Sequence, residues 1–392
     1  MIGSPTYIPI LQLIASSHGG GATHVLDLAT AFSSSQFQVT VAMPDDSGNV
    51  SPQQIEATGA RFYPINIGDG FHWRELKELR HFIQDNQFEL VHVHGARAGL
   101  YGRLAVLGLP NRPKTLFSIH GFATPYYAWS HKFTYLVLEH ILQSVTDSTI
   151  CVARAEAELF LKYRLSAIQK VHIIHPGIPL ARFQDVRQQP NSLRKTLGLA
   201  QSPVILAVCR LNIPRDFDTL LKAVRNLRHV LTDVQLVIAG DGPQRSEIEA
   251  QILALNLTNH VHLLGFRQDI PQLMAMADVF VLTSYGWEGF PISALEAQAV
   301  GLPVVITDAG GSAEAVIDGQ TGLVVPKCDV SALTYALQVI LTDSQTKQTM
   351  SANSYLHAQK TFSHQRMIRD IAAIYLSLLG KDDMYSWLRN LE

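Results

Sequence analysis

Short apolar runs alternate with helix-period stretches along almost the whole chain. IPILQLIA is followed by ATHVLDLATAF and then FQVTVAM, and ELVHVH is followed by ARAGLYGRLAVLG and then KTLFSIH. Strands that are apolar at nearly every position belong to parallel sheets covered on both faces. The rhythm lapses between Gly177 and Ser202, where GIPLARFQDVRQQPNSLRKTLGLAQS is more polar and holds two prolines after its glycine. It resumes with PVILAVCR, DVQLVIAGDG, HVHLLGF, DVFVLTS, LPVVIT and TGLVVP. The pattern predicts two doubly wound, Rossmann-like α/β domains in tandem, residues 1–180 and 181–376. Ligands of such sheets bind beyond the carboxyl ends of the strands. The loops there should carry the chemistry, and two such edges facing each other would make a cleft.

Composition narrows the class. With 392 residues the chain suits two cores rather than one. Hydrophobic residues at 47% against 16% charged fit a globular enzyme with large buried sheets. A formal net charge of -2 provides no global field for nucleic acid. Cys151, Cys209 and Cys328 stand far apart, without metal-type spacing, and read as buried thiols of a reducing, cytoplasmic compartment. MIGSPTYIPILQLIASS lacks a basic segment before its apolar run and reads as a first strand, not a signal peptide. No apolar stretch is long enough to span a bilayer.

The densest chemistry lies in the second domain. DVFVLTS reads as a strand, YGWEGF as a loop, and ISALEAQAV as a helix that Gly301 stops. Pro291 fits the first helical position, where its missing N–H costs nothing. The free amides of Ile292 and Ser293 can then receive phosphate oxygens. Glu296, in the second turn, is placed to reach a vicinal diol beside that phosphate, and Glu288, in the loop with Gly289 and Phe290, lies on its other side. Ribose, diphosphate, sugar is the layout of a nucleotide sugar. Arg210 and Arg215, in CRLNIPRDF, follow a strand and carry guanidinium forks suited to phosphate. Asp216-Phe217-Asp218 has the spacing of a metal motif but reads better as a helix cap with a first-turn acid. Gly265 and Phe266 end a strand in a loop that can pack on a base, and Gly310-Gly311 is a second anion nest by pattern.

In the first domain, Gly19, Gly20 and Gly21 let the backbone approach a ligand before a helix begins. A dinucleotide fingerprint is the rival, but His24 stands at its last glycine position, although Asp45 falls near the expected ribose acid. His92 and His94 share one face of a strand, and His120 ends the next. Zinc would need further ligands, and none is evident. His92 reads as a core histidine and His120 as the group that meets a transferred sugar. FATPYYAWSHKFTYLVLEHIL is dense in aromatics (Phe122, Tyr126, Tyr127, Trp129, Phe133, Tyr135). These suit a helix covering the sheet, sugar stacking or a membrane interface.

These residues resemble glycosyltransferase family 4, retaining transferases of the GT-B fold, over nearly the whole chain and most strongly from Val204 to Pro326. The family's most specific mark, two glutamates with seven residues between them, is matched by Glu288 and Glu296. The resemblance implies that Glu296 holds the nucleotide ribose, that Glu288 lies beside the donor sugar, and that the backbone of Phe290 and Ile292 lines the sugar–phosphate site. Arg210 matches the family pattern; Arg215 and Asp216 replace its usual lysine and glycine. IIHPGIP departs from the usual hinge. HGARAGLYGRLA with SIHGF is similar to members that build bacterial polysaccharides and glycolipids. The resemblance further implies that residues 377–392 return to the first domain.

The expected function is transfer of a sugar from a nucleoside-diphosphate sugar, a UDP-sugar by preference, to a glycan or lipid-linked acceptor. No metal and no tightly bound cofactor is required, and a peripheral association with the inner face of the cell membrane fits the aromatic helix. A nucleotide-sugar epimerase, a phosphorylase and a non-catalytic nucleotide-sugar-binding protein stay open as alternatives.

Overall fold

The computed structural model describes residues 7–33, 36–68, 70–121, 129–188, 193–199, 201–212 and 214–381. The chain divides into two compact units, Met1–His175 with Met367–Glu392, and Pro176–Arg366. Phe122, Tyr126, Tyr127 and residues 382–392 lie outside the described residues.

The first unit is built on seven parallel strands: β1 (Ile8–Ile14), β2 (Phe37–Met43), β3 (Arg61–Pro64), β4 (Leu90–His94), β5 (Lys114–Ile119), β6 (Ser148–Cys151) and β7 (Val171–Ile173). Their order is β3-β2-β1-β4-β5-β6-β7, so the winding direction reverses between β1 and β4. Successive strand residues face opposite sides. Ile10, Leu90 and Leu116 join one core, with the Gly19–Ser33 helix and Tyr375. Leu11, Leu13, Val91, Val93 and Phe117 join the other, beneath the Gly95–Val106 helix. Burial on both faces explains why these strands are apolar throughout.

The helix His364–Leu379 belongs to this unit from Met367 onward. Its Met367, Ile368, Ile371, Tyr375 and Leu376 are buried in the first core. The return to the first sheet thus begins about ten residues before the position expected from the sequence.

The second unit holds six parallel strands: β8 (Val204–Val208), β9 (Gln235–Ala239), β10 (Val261–Leu263), β11 (Val279–Leu282), β12 (Val304–Thr307) and β13 (Gly322–Val325). Their order, β10-β9-β8-β11-β12-β13, reverses between β8 and β11. The two ends of this unit are tied together. The Ile178 N–H donates to Phe362 O (2.9 Å), and the His364 N–H donates to Ile178 O (3.1 Å). A Cβ on Gly177 would stand 2.6 Å from Ser363 O, so only glycine fits there. The division falls before Pro176, five residues earlier than the sequence pattern suggested.

Candidate active site

Because β8 and β11 are neighbours at the reversal point, the loops leaving them lie side by side. Arg215 and Ser284 pair as an antiparallel bridge. The Asp216 N–H donates to Thr283 O (3.0 Å), and the Tyr285 N–H to Pro214 O (3.1 Å). On this frame, Arg215 Nη1 lies 2.8 Å from Glu288 Oε1 and donates to Ser284 Oγ at 2.7 Å. The Ser284 hydroxyl in turn donates to Glu288 Oε1 (3.0 Å). The pair is mostly buried, with side chains 17% and 13% exposed, so it is far less screened than a surface ion pair. Arg210, by contrast, is exposed and makes no ion pair among the described residues. Of the two cations expected to meet phosphate, one is held by a carboxylate and the other stands open.

Glu288 is fixed through its backbone as well. Its N–H donates to Ala309 O (2.9 Å), and its carbonyl accepts from Gly311 N–H (3.0 Å). Gly310, at φ 76°, lies under Trp287, where a Cβ would approach the indole to 2.7 Å. Gly310 and Gly311 therefore brace the Glu288 loop, a use the nest pattern did not reveal.

The helix after this loop is Ile292–Ala299, and Pro291 is its N-cap rather than its first helical residue. The Ala294 N–H bonds Pro291 O at 3.1 Å. The amides of Ile292 and Ser293 precede the first intrahelical donor, as at any helix start. Phe290 turns its ring inward against Phe362 (5.8 Å), which leaves its backbone on the loop. Glu296 is half-buried, and burial pushes its carboxyl up to about 7, opposed by the charge of Arg182. Gly265, at φ 67°, bonds Gly240 N–H through its carbonyl (2.8 Å), and the next residue, Phe266, is 73% exposed.

Asp216 and Asp218 do not converge. Asp216 caps the Phe217–Leu227 helix by accepting from Thr219 N–H (3.0 Å), while Asp218 turns outward to Lys222 (2.7 Å).

In the first unit the helix begins at Gly19, so Gly20 and Gly21 lie in its first turn and not in a preceding loop. The Gly19 amide is already taken by Asn49 Oδ1. His120, just past β5, closes a group of imidazoles that the sequence did not assemble. Ring nitrogens of His24, His94 and His120 lie within 4.8 Å of one another and could together hold a metal ion. His94 Nδ1 and His120 Nε2 are hydrogen-bonded to each other at 3.2 Å. Burial holds His120 down at about 4. His94 and His92 are pushed well below the ordinary histidine range, first by burial and then by neighbouring imidazoles. His92 is a satisfied core residue, bonded to Tyr375 Oη and Ser118 Oγ at 2.7 Å each. Gln12, His24 and Tyr375 were missed, because nothing local in the sequence links β1, a helix face and a residue near the far end of the chain.

Residues 18–182 match the model of the family described as Glycosyltransferase Family 4, and residues 189–357 that of Glycosyl transferases group 1. The Escherichia coli UDP-Gal:alpha-D-GlcNAc-diphosphoundecaprenol alpha-1,3-galactosyltransferase is 27% identical over 88% of this chain and 90% of its own length. EpsF of Bacillus subtilis, whose name assigns it to the glycosyltransferases, is 30% identical over 80% of this chain and 82% of its own. Among solved structures, Anabaena HepE in complex with UDP and glucose superposes with a TM-score of 0.82 at 22% identity, covering 95% of this chain and all of that one.

Proposed function

We propose a donor, a mechanism and an acceptor class from one premise: the chain belongs to the family 4 glycosyltransferases and has their GT-B fold. The donor is a UDP-sugar. It binds at the β8–β11 reversal point of the second unit, with its diphosphate at the Ile292–Ser293 amides and Arg210, its ribose hydroxyls on Glu296, and its base near Gly265 and Phe266. The observation that carries this reading is the Arg215–Glu288–Ser284 set beside that helix start. A fixed cation and a fixed carboxylate close to a helix start support a sugar–phosphate site there.

Charge grows on the departing diphosphate as the sugar–phosphate bond breaks. Arg210, Arg215 and the helix amides are preorganised to stabilise it. Glu288 contacts the transferred sugar, the configuration at its anomeric carbon is retained, and His120 is the candidate catalytic residue of the first unit. The acceptor hydroxyl enters on the leaving-group face and gives its proton to the departing phosphate. This scheme requires no divalent metal.

The acceptor is a glycan or lipid-linked hydroxyl in surface polysaccharide or glycolipid synthesis. The Escherichia coli relative is named for a UDP-galactose donor and a diphosphoundecaprenol-linked acceptor, which supports this choice. No helix among the described residues is long and apolar enough to cross a membrane. The Trp129–Leu142 helix, however, exposes Phe133, Val137 and Ile141, four residues apart on one face, which suits peripheral contact with the inner membrane face.

A thermal-shift series with UDP, GDP and their sugars tests the donor. UDP should raise the melting temperature of the wild type and fail to do so in Glu296→Ala. A shift with GDP alone would replace the nucleotide, and no shift with either would remove the donor site. Turnover of donor without an acceptor would favour an epimerase. Full activity in His120→Ala would remove that residue alone from the catalytic set.

A further inference from the structure

His24, His94 and His120 come from three separate elements of the first unit: the Gly19–Ser33 helix, the end of β4 and the residue after β5. Their ring centroids form a nearly equilateral triangle, 5.6 Å from His24 to His94, 5.2 Å from His24 to His120 and 5.4 Å from His94 to His120. Three imidazoles around one tetrahedral ion make such a triangle. With metal–nitrogen bonds of about 2.0–2.1 Å, the ligand nitrogens stand about 3.3 Å apart and the ring centroids about 5.2 Å apart. His94 Nδ1 and His120 Nε2 already meet at 3.2 Å. Each ring offers a nitrogen within 4.8 Å of the other two. The widest gap therefore has to close by at most about 1.5 Å, and the half-buried His24 side chain can supply that by rotation.

The partner of the other His94 nitrogen decides how that ring can act. Gln12 Oε1 lies 2.7 Å from His94 Nε2. An amide oxygen only accepts, so Nε2 bears the proton and Nδ1 offers its lone pair toward His120. The amide is held in turn by donating from Gln12 Nε2 to Tyr375 Oη (2.6 Å). Gln12, His94 and Tyr375 are each at most 2% exposed, so bulk water does not replace these links. A carbonyl that takes the far N–H of an imidazole, fixing its tautomer and ring orientation, is the usual outer support of a histidine metal ligand. His92 stays outside the group, with its two nitrogens on Tyr375 Oη and Ser118 Oγ. The set holds three imidazoles and no carboxylate. Imidazole suits zinc, copper and nickel, whereas magnesium, calcium and manganese prefer oxygen ligands.

We propose that His24, His94 and His120 form a binding site for a zinc-class divalent cation, with Gln12 positioning His94 as a ligand, and that the bound ion holds back sugar transfer instead of supporting it. The second half rests on the reading of His120 as a catalytic residue: a lone pair given to the ion is withdrawn from the reaction. His120 binds through Nε2 with its single proton on Nδ1, so the neutral ring neither gains nor loses a proton. Three protein ligands leave the fourth position of the ion to water.

Cobalt(II) and zinc(II) test the site on the full chain after chelation and dialysis. Cobalt should bind once per chain with the intense visible absorption of a four-coordinate ion. Zinc should displace it and bleach the band, and magnesium should not. Only the pale spectrum of six-coordinate cobalt would overturn the site. Zinc should also raise the melting temperature, and a chelator should reverse the shift. Gln12→Leu should weaken zinc binding by about 10–100-fold, and His24→Gln by at least as much. Unchanged affinity in His24→Gln would overturn the ligand set without the buried Gln12 variant having to fold. Release of UDP from UDP-glucose or UDP-galactose should fall as zinc fills the site and recover on chelation. A filled site with an unchanged rate would overturn the inhibition and take His120 out of catalysis. The donor site fails separately, if no nucleotide shifts the melting temperature while the cobalt spectrum still reads as stated.

Discussion

The two sheets share a winding order at their reversal points and use it in opposite ways. At the β8–β11 reversal the side chains are charged: Arg215 is locked on Glu288, and Arg210 stands open. At the β1–β4 reversal they are neutral: Gln12, His92 and His94 are buried and hydrogen-bonded in one chain with Tyr375. Charge in a partly buried site acts over several ångströms and suits a diphosphate. A neutral chain acts only through hydrogen-bond direction. One topology therefore supports both a charged cluster and a neutral hydrogen-bonded one.

The largest expected effect tests the charged side. Arg210→Ala should lower turnover by about 10²–10³, the scale of losing one preorganised oxyanion contact, with the UDP melting shift largely kept. Steady-state kinetics checks this, and an unchanged kcat would leave Arg215 as the only cation of the pair in use. Glu296 comes next. Its carboxyl titrates at about 7 because burial disfavours the anion, whereas ribose hydroxyls would donate to the anion and favour it. Nucleotide affinity should therefore rise as pH increases through 7 and then level off, with a proton released on binding. Glu296→Gln should weaken binding by about 1.5–3 kcal/mol and abolish the pH dependence. Calorimetry in buffers of different ionisation enthalpy measures both.

The neutral side predicts a smaller, structural effect. His120 titrates at about 4 in the folded state, and His92 and His94 also lie below the ordinary value of 6.5. On acidification the unfolded chain takes up protons that the folded one refuses. This stability is present above pH 6.5 and is lost as pH falls toward the folded values. The melting temperature should drop by several degrees between pH 7 and pH 5, a window above most carboxylate titration. Glu296 has the opposite sign: its raised pKa contributes stability at low pH that is lost as pH rises through 7. The acid loss should therefore steepen in Glu296→Gln. The smallest effects separate the two acids of the Asp-x-Asp motif. Asp216→Ala should cost about 1 kcal/mol as a lost helix cap, while Asp218→Asn should change stability and activity by no more than about 0.5 kcal/mol. A large loss of activity in Asp218→Asn, restored by added divalent cation, would return metal to the mechanism.

Much of this was legible in advance because it is local. The strand rhythm, the loop–Pro291–helix junction and the Asp216 cap depend on residues within one turn or one strand of each other. Glu288 and Glu296 could be assigned to opposite sides of a helix start from spacing alone. The Arg215–Glu288 pair could not, because it spans 73 positions and needs β8 and β11 to be neighbours. Pro291 illustrates the margin of such inference: its missing N–H allows both the cap and the first helical turn, and packing of Phe290 against Phe362 accompanies the cap.

By itself the sequence determined two parallel α/β sheets and the loop–helix junctions of the second, since apolar period and helix punctuation are properties of short segments. Only the tertiary structure decided which loops meet, where the chain returns to its first sheet, and which partners His92, His94 and His120 find. Those depend on strand order and on a tyrosine 363 residues from its glutamine partner. No local pattern encodes such a contact, because its energy exists only once both cores have formed.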